Sequence, residues 1–346
     1  MLKSLKLFFI ILLTTFSLFI HAADQTLNVY NWSTFMPTSV INQFERETHI
    51  KVNYTEFDSN ETLYAKLKAN PKIAYDIIVP SSYYVQRMAR EGMLHSIDFS
   101  QLSNFHNLNP LFLHQAYDPT NQYSIPYLWG TTGIVINDQY WDPNSIKHWQ
   151  DLWSPRFKNQ LLMLEDSREV FAIALTTLGY SINDTNPQHI KQAYEKLLAL
   201  KKNIKVFNTD ADIPIYADED ATAGMGWSGD VYLATLENKH LRYIYPQDHF
   251  TIWVDCVSVP KYAPHYQNAL RFLNFLMRPE IAKEIAVAIG YSTPNLPAER
   301  LLPKKMRDNL LVNPPASLLK RGRFQLDVGR ADTLYEKYWQ LLKIAT

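Results

Sequence analysis

The stretch TLNVYNWSTFMPTSVINQFERETHIKVNYTEF (residues 26–57) decides the fold class. Residues 26–30 and 51–57 alternate apolar and polar side chains, as half-buried strands do. Between them, Pro37 begins a segment whose apolar residues recur at helical spacing. The stretch therefore predicts a strand, a helix and a second strand, in a unit that sets its two strands parallel.

The same alternation continues along the chain and predicts an α/β fold in two series. The remaining strands of both series are predicted at residues 75–79, 133–137, 160–164, 204–208, 222–227 and 252–260. The remaining helices are predicted at residues 60–69, 84–91, 169–178, 187–201, 268–277 and 279–289. A turn is predicted at Gly229 and Asp230. Loops at the carboxyl ends of parallel strands are where such sheets bind ligands.

No Pro-, Gly- or Ser-rich linker separates the two series. We therefore expect two lobes, each a mostly parallel sheet flanked by helices, joined by strands near residues 127–132 and 254–259. The expected N-terminal lobe is residues 24–130 plus 256–304, and the C-terminal lobe is residues 131–255 plus 305–346. A cleft between lobes that can close is the natural ligand site in such a molecule.

Residues 1–23 are interpreted as a signal peptide. Lys3 and Lys6 precede an apolar run over residues 7–20, and Ala22 and Ala23 supply small residues at its end. The run is shorter than the ~20 residues that a membrane-spanning helix needs, which disfavours the alternative of a membrane anchor. We expect cleavage after one of the two alanines and a periplasmic location.

The composition limits the classes of partner. Lys plus Arg and Asp plus Glu number 34 each, and Lys3 and Lys6 lie in the predicted leader, so the remainder has a net charge near −2. That balance gives no electrostatic basis for nucleic-acid binding. The one cysteine, Cys256, precludes an intramolecular disulfide. We expect a monomer without a cofactor.

Catalytic signatures are absent from the sequence. It has no Gly-rich phosphate loop, no paired-His zinc helix and no Gly-x-Ser-x-Gly. Asp166 and Glu169 are one alternative, as the acid and base of a glycosidase, but their closeness on one helix turn disfavours it. We therefore predict neither catalytic nor metal-binding residues.

Carboxylates and large aromatic residues recur together in loop-like positions. Asp255 interrupts an otherwise apolar strand, where a buried carboxylate needs a partner, while Asp166 and Glu169 have helix capping as an alternative role. Ring faces attract cations, and carboxylates accept charge-assisted hydrogen bonds from amines. A box for an ammonium ligand is thus predicted from four rings and four acids: Trp32, Trp227, Trp253, Tyr291, Asp166, Glu169, Asp230 and Asp255.

Seven segments carry a resemblance to a known family. They are YNW (30–32), SNET (59–62), YDIIVPS (75–81), SIPY (124–127), DSREVF (166–171), GYSTPN (290–295) and QLDVG (325–329). In these the chain resembles the spermidine/putrescine-binding periplasmic proteins, the receptors of polyamine ABC importers, from residue 27 to about residue 342. The resemblance implies a type II periplasmic binding protein that closes two lobes on spermidine or putrescine and delivers it to an inner-membrane permease.

The resemblance also implies a set of polyamine-contact positions. They are Trp32, Ser33, Thr34, Phe35, Ser81, Tyr83, Asp166, Glu169, Trp227, Asp230, Trp253, Asp255, Tyr291 and Gln325. Thr34 and Phe35 depart from the family, which usually has an acid and a Tyr there. Asp230 instead resembles the putrescine-preferring relatives, so the sequence leaves open which polyamine is preferred.

Two alternatives remain open at this point. Tyr83 and Tyr84 are similar to the tyrosine pair of ferric-ion receptors, so another small cation is one alternative ligand. A polyamine sensor that presents its closed form to a signalling receptor is the other.

Overall fold

The computed structural model describes residues 25–345, so the predicted signal peptide lies outside the described residues. The strands are β1 Thr26–Trp32, β2 Lys51–Phe57, β3 Ile77–Ile78, β4 Ser124–Asn137, β5 Leu161–Met163, β6 Ile204–Phe207, β7 Ala223–Trp227, β8 Leu241–Ile244, β9 Phe250–Ser258 and β10 Gly322–Phe324. The helices are α1 Thr38–Thr48, α2 Asn60–Ala69, α3 Ser82–Arg90, α4 Ser167–Thr177, α5 Pro187–Leu200, α6 Asp212–Ala217, α7 Ser228–Glu237, α8 Tyr266–Leu276, α9 Pro279–Ile289, α10 Leu296–Leu301, α11 Lys304–Arg307, α12 Ala316–Leu319 and α13 Asp332–Ile344.

The strands follow the order β2-β1-β3-β9-β4-β7-β5-β6, with β10 beside β9 and β8 beside β4. The strands of the two predicted series are parallel to one another, β1 with β2 and β3, and β5 with β6 and β7. The long strands β4 and β9 are antiparallel to their neighbours in this order. Each lobe therefore has a parallel outer part and shares an antiparallel centre with the other.

Helices cover both faces of each lobe's sheet. Successive strand residues point to opposite faces, so buried strands present apolar side chains to helices on both sides. In β1, Val29 packs with Phe44 of α1, while Tyr30 packs with Leu63 of α2. In β5, Met163 packs in the same core as α4 and α5, and Leu162 packs with α6 and α7. Both lobes thus have the layered helix–sheet–helix architecture that the sequence predicts.

Strand β4 passes from one lobe to the other. Its residues from Ser124 to Thr131 pair with β9, and those from Thr132 onward pair with β7 and β8. All side chains of β4 and β9 are buried. The connection between the lobes is therefore a buried pair of strands rather than a flexible segment.

Three predicted elements differ from the structure. The strand predicted over residues 133–137 is the last part of β4, which begins at Ser124. Gly229 and Asp230 do not form a turn but lie in the first turn of α7. The predicted strand over residues 75–79 is reduced to Ile77–Ile78, with Pro80 shortly after its C-terminal end. Helix α13 was not predicted, although Tyr335, Trp339 and Leu342 bury one of its faces. Within residues 25–345, none of the helices has the length and apolarity needed to cross a membrane.

Candidate functional site

The predicted site residues come from strand ends that face one another. Strand β1 ends at Trp32, and Ser81 follows β3 after a short loop. In the other lobe, Asp166 follows β5 and β7 ends at Trp227. Since carboxyl ends of parallel strands lie at one edge of a sheet, both lobes direct these residues toward the same cleft.

Five of the predicted aromatic residues form one row across the cleft. The ring centroids are 6.2 Å apart for Trp32 and Phe35, and 5.7 Å apart for Phe35 and Tyr291. Tyr291 is 5.0 Å from Trp253, and Trp253 is 6.5 Å from Trp227. We call these five residues the aromatic row; it offers ring faces and edges against which a methylene chain can pack.

Two glycines allow the rings of the aromatic row to pack against backbone. A Cβ on Gly229 would lie 2.0 Å from the ring of Tyr291, and one on Gly130 would lie 2.2 Å from the ring of Trp253. Both distances are far shorter than any real contact, so only glycine fits. Gly229 thus has a packing role, although its sequence context suggested a turn.

Asp255 lies on β9 and is 5 % exposed. Its Oδ1 accepts a hydrogen bond of 2.7 Å from the Ser81 hydroxyl, whose oxygen accepts one of 3.0 Å from Asn60. Burial raises the pKa of Asp255 to about 7, against the lowering effect of the Ser81 hydrogen bond. No basic side chain of the described residues forms an ion pair with Asp255, so its charge is left for another partner.

Asp166 and Glu169, which we call the α4 carboxylates, lie at the start of α4. Asp166 caps the helix by accepting a 2.9 Å hydrogen bond from the Glu169 amide, as the alternative interpretation proposed. Glu169 is 2 % exposed, and its Oε2 has no hydrogen-bonding partner among the described residues. Burial and then the charge of Asp166 raise the pKa of Glu169 to about 8. Helix capping therefore accounts for the Oδ1 atom of Asp166. It does not account for the burial of the Glu169 carboxyl group.

Arg168 lies between the α4 carboxylates in sequence but does not neutralise them through contact. Its guanidinium donates hydrogen bonds to the Leu326 carbonyl at 3.2 Å and to the Asn183 side chain at 3.1 Å. At longer range its charge lowers the pKa of Asp166, which burial raises overall. The charge of Arg168 thus offsets part of the negative charge of the α4 carboxylates, but neither of them forms an ion pair within residues 25–345.

Tyr83 and Gln325 come from opposite sides of the cleft. The Tyr83 hydroxyl accepts a 3.3 Å hydrogen bond from Asn60, and the Arg168 guanidinium is 5.4 Å from its ring. Gln325 follows β10, is buried, and has an Nε2 without a partner among the described residues. The indole N–H groups of Trp32 and Trp253 are buried and unpartnered in the same way.

Asp230 has a neighbouring acid that was not predicted. Asp230 lies in the first turn of α7, and burial raises its pKa to about 6, while a hydrogen bond to Tyr291 lowers it. Asp212, the first residue of α6, is 3 % exposed. Burial and then Asp230 raise the pKa of Asp212 to about 8. We call Asp212 and Asp230 the α6–α7 carboxylates. The sequence does not separate Asp212 from the exposed Asp210 close by.

Ser33 and Thr34 do not join the buried group. Both are exposed, and Thr34 has a left-handed backbone with φ of 64°. The Thr34 amide donates a 3.3 Å hydrogen bond to Glu56 of β2. These two residues therefore lie beside Trp32 at the rim of the cleft.

Tyr83 and Tyr84 engage different partners. The Tyr84 hydroxyl donates a 2.9 Å hydrogen bond to Glu61, whereas the Tyr83 hydroxyl accepts one from Asn60. The rings meet edge to face with centroids 5.0 Å apart. Among residues 25–345, no group of three or more His, Cys, Asp or Glu side chains is arranged to hold a metal ion. The hydroxyls of Tyr83 and Tyr84 therefore form hydrogen bonds to different residues.

Ion pairs connect the two sides from which Ser81 and Gln325 come. Arg87 of α3 lies 2.9 Å from Asp332 and 3.7 Å from Asp327, and Arg90 also pairs with Asp327. Because α3 follows Ser81 and Asp327 follows Gln325, these pairs keep the two segments together. They contribute to the burial of the site residues between them.

The arrangement as a whole suits a ligand with several separated positive charges. The site holds five acids, of which Glu169, Asp212 and Asp255 are buried and Asp166 and Asp230 are partly buried. None of the five forms an ion pair within residues 25–345. Burying a charge without a partner is costly, so such groups take up protons or bind cations. An aromatic row beside them adds apolar surface and cation–π attraction.

Comparisons with known proteins agree with this geometry. The model of the family described as bacterial extracellular solute-binding protein matches residues 39–310. The spermidine/putrescine-binding periplasmic protein of Salmonella typhimurium is 45 % identical over 324 residues, which cover 93 % of each chain. A spermidine/putrescine ABC transporter substrate-binding protein from Streptococcus pneumoniae, solved by crystallography, is 35 % identical with a TM-score of 0.81. It aligns with 92 % of this chain and 99 % of its own.

A solved protein from Listeria monocytogenes is also similar, with 36 % identity, a TM-score of 0.88 and coverage of 92 % of this chain and 99 % of that one. These matches span both lobes and confirm the resemblance and the two-lobed fold predicted from the sequence. The chain belongs to the bacterial extracellular solute-binding protein family.

Proposed function

We propose that this chain is the periplasmic substrate-binding component of a polyamine ABC importer, which closes its lobes on spermidine or putrescine and delivers it to a membrane permease. The relatives named for spermidine and putrescine binding support the ligand class. Family membership also confirms the prediction that the chain is a solute-binding protein and not an enzyme.

The observation that carries the proposal is the set of buried acids beside the aromatic row. Asp255 and Glu169 both have a raised pKa in the ligand-free protein. An amine group placed beside each carboxylate would let it ionise and would donate charge-assisted hydrogen bonds to it. The methylenes between amines would pack against rings such as Trp253 and Tyr291, which are 5.0 Å apart.

Titration calorimetry of the purified protein with putrescine, spermidine and spermine tests the proposal. We expect millimolar or tighter binding of at least one of them. Butylamine, which has one amine on the same length of chain as putrescine, is the matched control and should bind at least about tenfold more weakly, since each charge-assisted contact contributes roughly 1.5–3 kcal/mol. Absence of a response to all three polyamines would rule the function out.

Export and assembly are further parts of the proposal. We infer that residues 1–23 are removed as a signal peptide, that the mature protein is monomeric, and that it does not bind nucleic acid. The mass of the protein recovered from the periplasm gives the cleavage site, and light scattering gives the oligomeric state. An uncleaved membrane-bound product would contradict the first inference.

The proposed lobe boundaries are residues 24–130 plus 256–304, and 131–255 plus 305–346. The pairing of β4 with β9 on one side and with β7 and β8 on the other supports a crossing near Thr131. Hydrogen exchange with and without polyamine should show protection at the boundary strands and at the strand ends of both lobes. Protection confined to one lobe would contradict these boundaries.

Transport and sensing differ in one measurable consequence. Deleting the gene should reduce polyamine uptake if the chain serves a permease. Uptake that stays unchanged would instead favour the polyamine sensor.

A further inference from the structure

The carboxyl group of Asp212 has an unusual environment. Its Oδ1 accepts a 2.9 Å hydrogen bond from the Ile213 amide, so its orientation is fixed by α6. Its Oδ2 is buried and has no hydrogen-bonding partner among the described residues. A buried, oriented and unpartnered oxygen is costly unless something else binds it.

The surroundings of Asp212 contain acids and phenols rather than cations. Asp230 and Asp210 both act on Asp212 as like charges. Asp212 in turn acts on the phenols of Tyr216 and Tyr291. Among residues 25–345, no lysine, arginine or histidine forms an ion pair with either of the α6–α7 carboxylates. Asp212 thus adds a second carboxylate beside Asp230, and no positively charged side chain of the described residues pairs with either acid.

Tyr291 connects this pair of acids to the aromatic row. Its pKa is raised by burial and by Asp230, and to a smaller extent by Asp212 and Asp255. Its ring contacts Phe35 and Trp253. A methylene chain that follows the aromatic row thus passes Tyr291, on which Asp230 and Asp212 both act.

We propose that Asp212 is a ligand-binding residue, and that it holds one terminal primary ammonium group together with Asp230 beside Tyr291, the middle member of the aromatic row. A primary ammonium has three N–H donors, which two carboxylates can accept, and two negative charges outweigh one positive charge. This inference rests on the proposed function and adds a site residue that the sequence did not indicate. It also has a consequence for protons: the unliganded pair retains a proton, and the arriving cation displaces it.

The substitution Asp212→Asn tests the inference by calorimetry with putrescine and spermidine. We expect the affinity to fall by at least about tenfold, the effect of one lost charge-assisted contact. Asp210→Asn is the matched control, since it removes the same charge from an exposed position near Asp212, and it should leave the affinity unchanged. If Asp212→Asn does not fold, as judged by its melting curve, Asp212→Ser gives the same readout.

Proton release separates ligand binding from a purely structural role. Titrations at pH 7 in buffers with different ionisation enthalpies should show that the wild type releases protons on binding and that Asp212→Asn releases fewer. Wild-type binding with an unchanged affinity and proton count in Asp212→Asn would overturn the inference and leave the proposed function intact. A wild type that binds no polyamine would instead overturn the proposed function.

Discussion

The α4 carboxylates and the α6–α7 carboxylates are two pairs of acids, each with one buried and one partly buried member, and they differ in how the protein compensates their charge. Asp166 caps a helix, and burial raises its pKa against the lowering effect of the Arg168 charge. Asp212 and Asp230 form no ion pair within residues 25–345, and the titratable groups that chiefly act on them are acids and Tyr291. The first pair is partly compensated before the ligand arrives, whereas the second depends on protons or on the ligand. Within one site, some acids such as Asp166 thus also stabilise a helix, whereas Asp212 and Asp230 serve ligand binding in our proposal.

Asp255, which belongs to neither pair, should give the largest effect. We expect Asp255→Asn to weaken every polyamine about 100-fold, or about 2.7 kcal/mol, because the buried charge is lost while Asn still accepts the Ser81 hydrogen bond. Calorimetry with putrescine and spermidine measures it. The control is Asp142→Asn, an exposed helix-capping position where Asn preserves the cap. A loss limited to one polyamine would show that Asp255 serves one end of the ligand only.

Asp166→Asn should have an intermediate effect. Asn caps helices about as well as Asp, so the substitution removes the charge and keeps α4 in place. We expect roughly a tenfold loss of affinity, with less change in proton release than Asp212→Asn causes, since Arg168 already favours the ionised form of Asp166. An equal change in proton release at both positions would remove the distinction between the two pairs.

The stability of the unliganded protein should fall as pH rises. Asp230, Asp255 and Asp212 have pKa values of about 6, 7 and 8 when folded, above those of the unfolded chain. The folded state therefore holds protons that the unfolded state has lost, and stability decreases from about pH 4 up to these folded values. We expect a melting temperature lower by roughly 5 °C at pH 8 than at pH 5.

Scanning fluorimetry across this pH range, with and without spermidine, measures the fall. Bound polyamine should make the decrease in melting temperature between pH 5 and pH 8 smaller. Asp212→Asn should also make this decrease smaller, and by more than Asp166→Asn does. A melting temperature that rises from pH 5 to pH 8 without ligand would contradict the raised pKa values.

Thr34→Glu should give the smallest effect because residue 34 is exposed at the rim, where solvent weakens charge interactions. Restoring the family's acid should change the ratio of spermidine to putrescine affinity by about threefold, within the range of an exposed charge pair. Calorimetry with both ligands measures the ratio, and Thr34→Gln controls for side-chain size. An unchanged ratio would show that the loss of this acid does not determine ligand preference.

Much of the fold was predictable because local signals and tertiary packing agree. Helix α2 begins where Ser59 accepts a hydrogen bond from the Thr62 amide, and α9 ends where Gly290 adopts a φ of 83°. Such caps fix helix bounds locally. The bounds of these two helices match the prediction. Four of the five rings of the aromatic row were also predicted as a set, and Phe35 was added by resemblance. The order of the rings across the cleft depends on contacts between distant segments.

The errors have physical causes of the same kind. Gly229 and Asp230 resemble a turn, but the ring of Tyr291 needs the space of a glycine at the start of α7. Asp212 and Asp210 look alike in sequence, and only the packing of α6 buries one and exposes the other. Thr34, assigned to the site by resemblance, is exposed, and its contact with the ligand stays a prediction. Burial of single polar side chains is decided by tertiary contacts that no local pattern records.

The pairing of β4 with β9 also affects the order in which the chain can fold. It joins Ser124 to Ser258 and Thr131 to Ile252, and all of β5–β8 lies between them in sequence. Pairing across long sequence separations slows folding, and neither lobe has its complete sheet until β9 has been synthesised. For a chain that we propose is exported, this late pairing would keep the polypeptide unfolded and competent for translocation until most of it has left the ribosome.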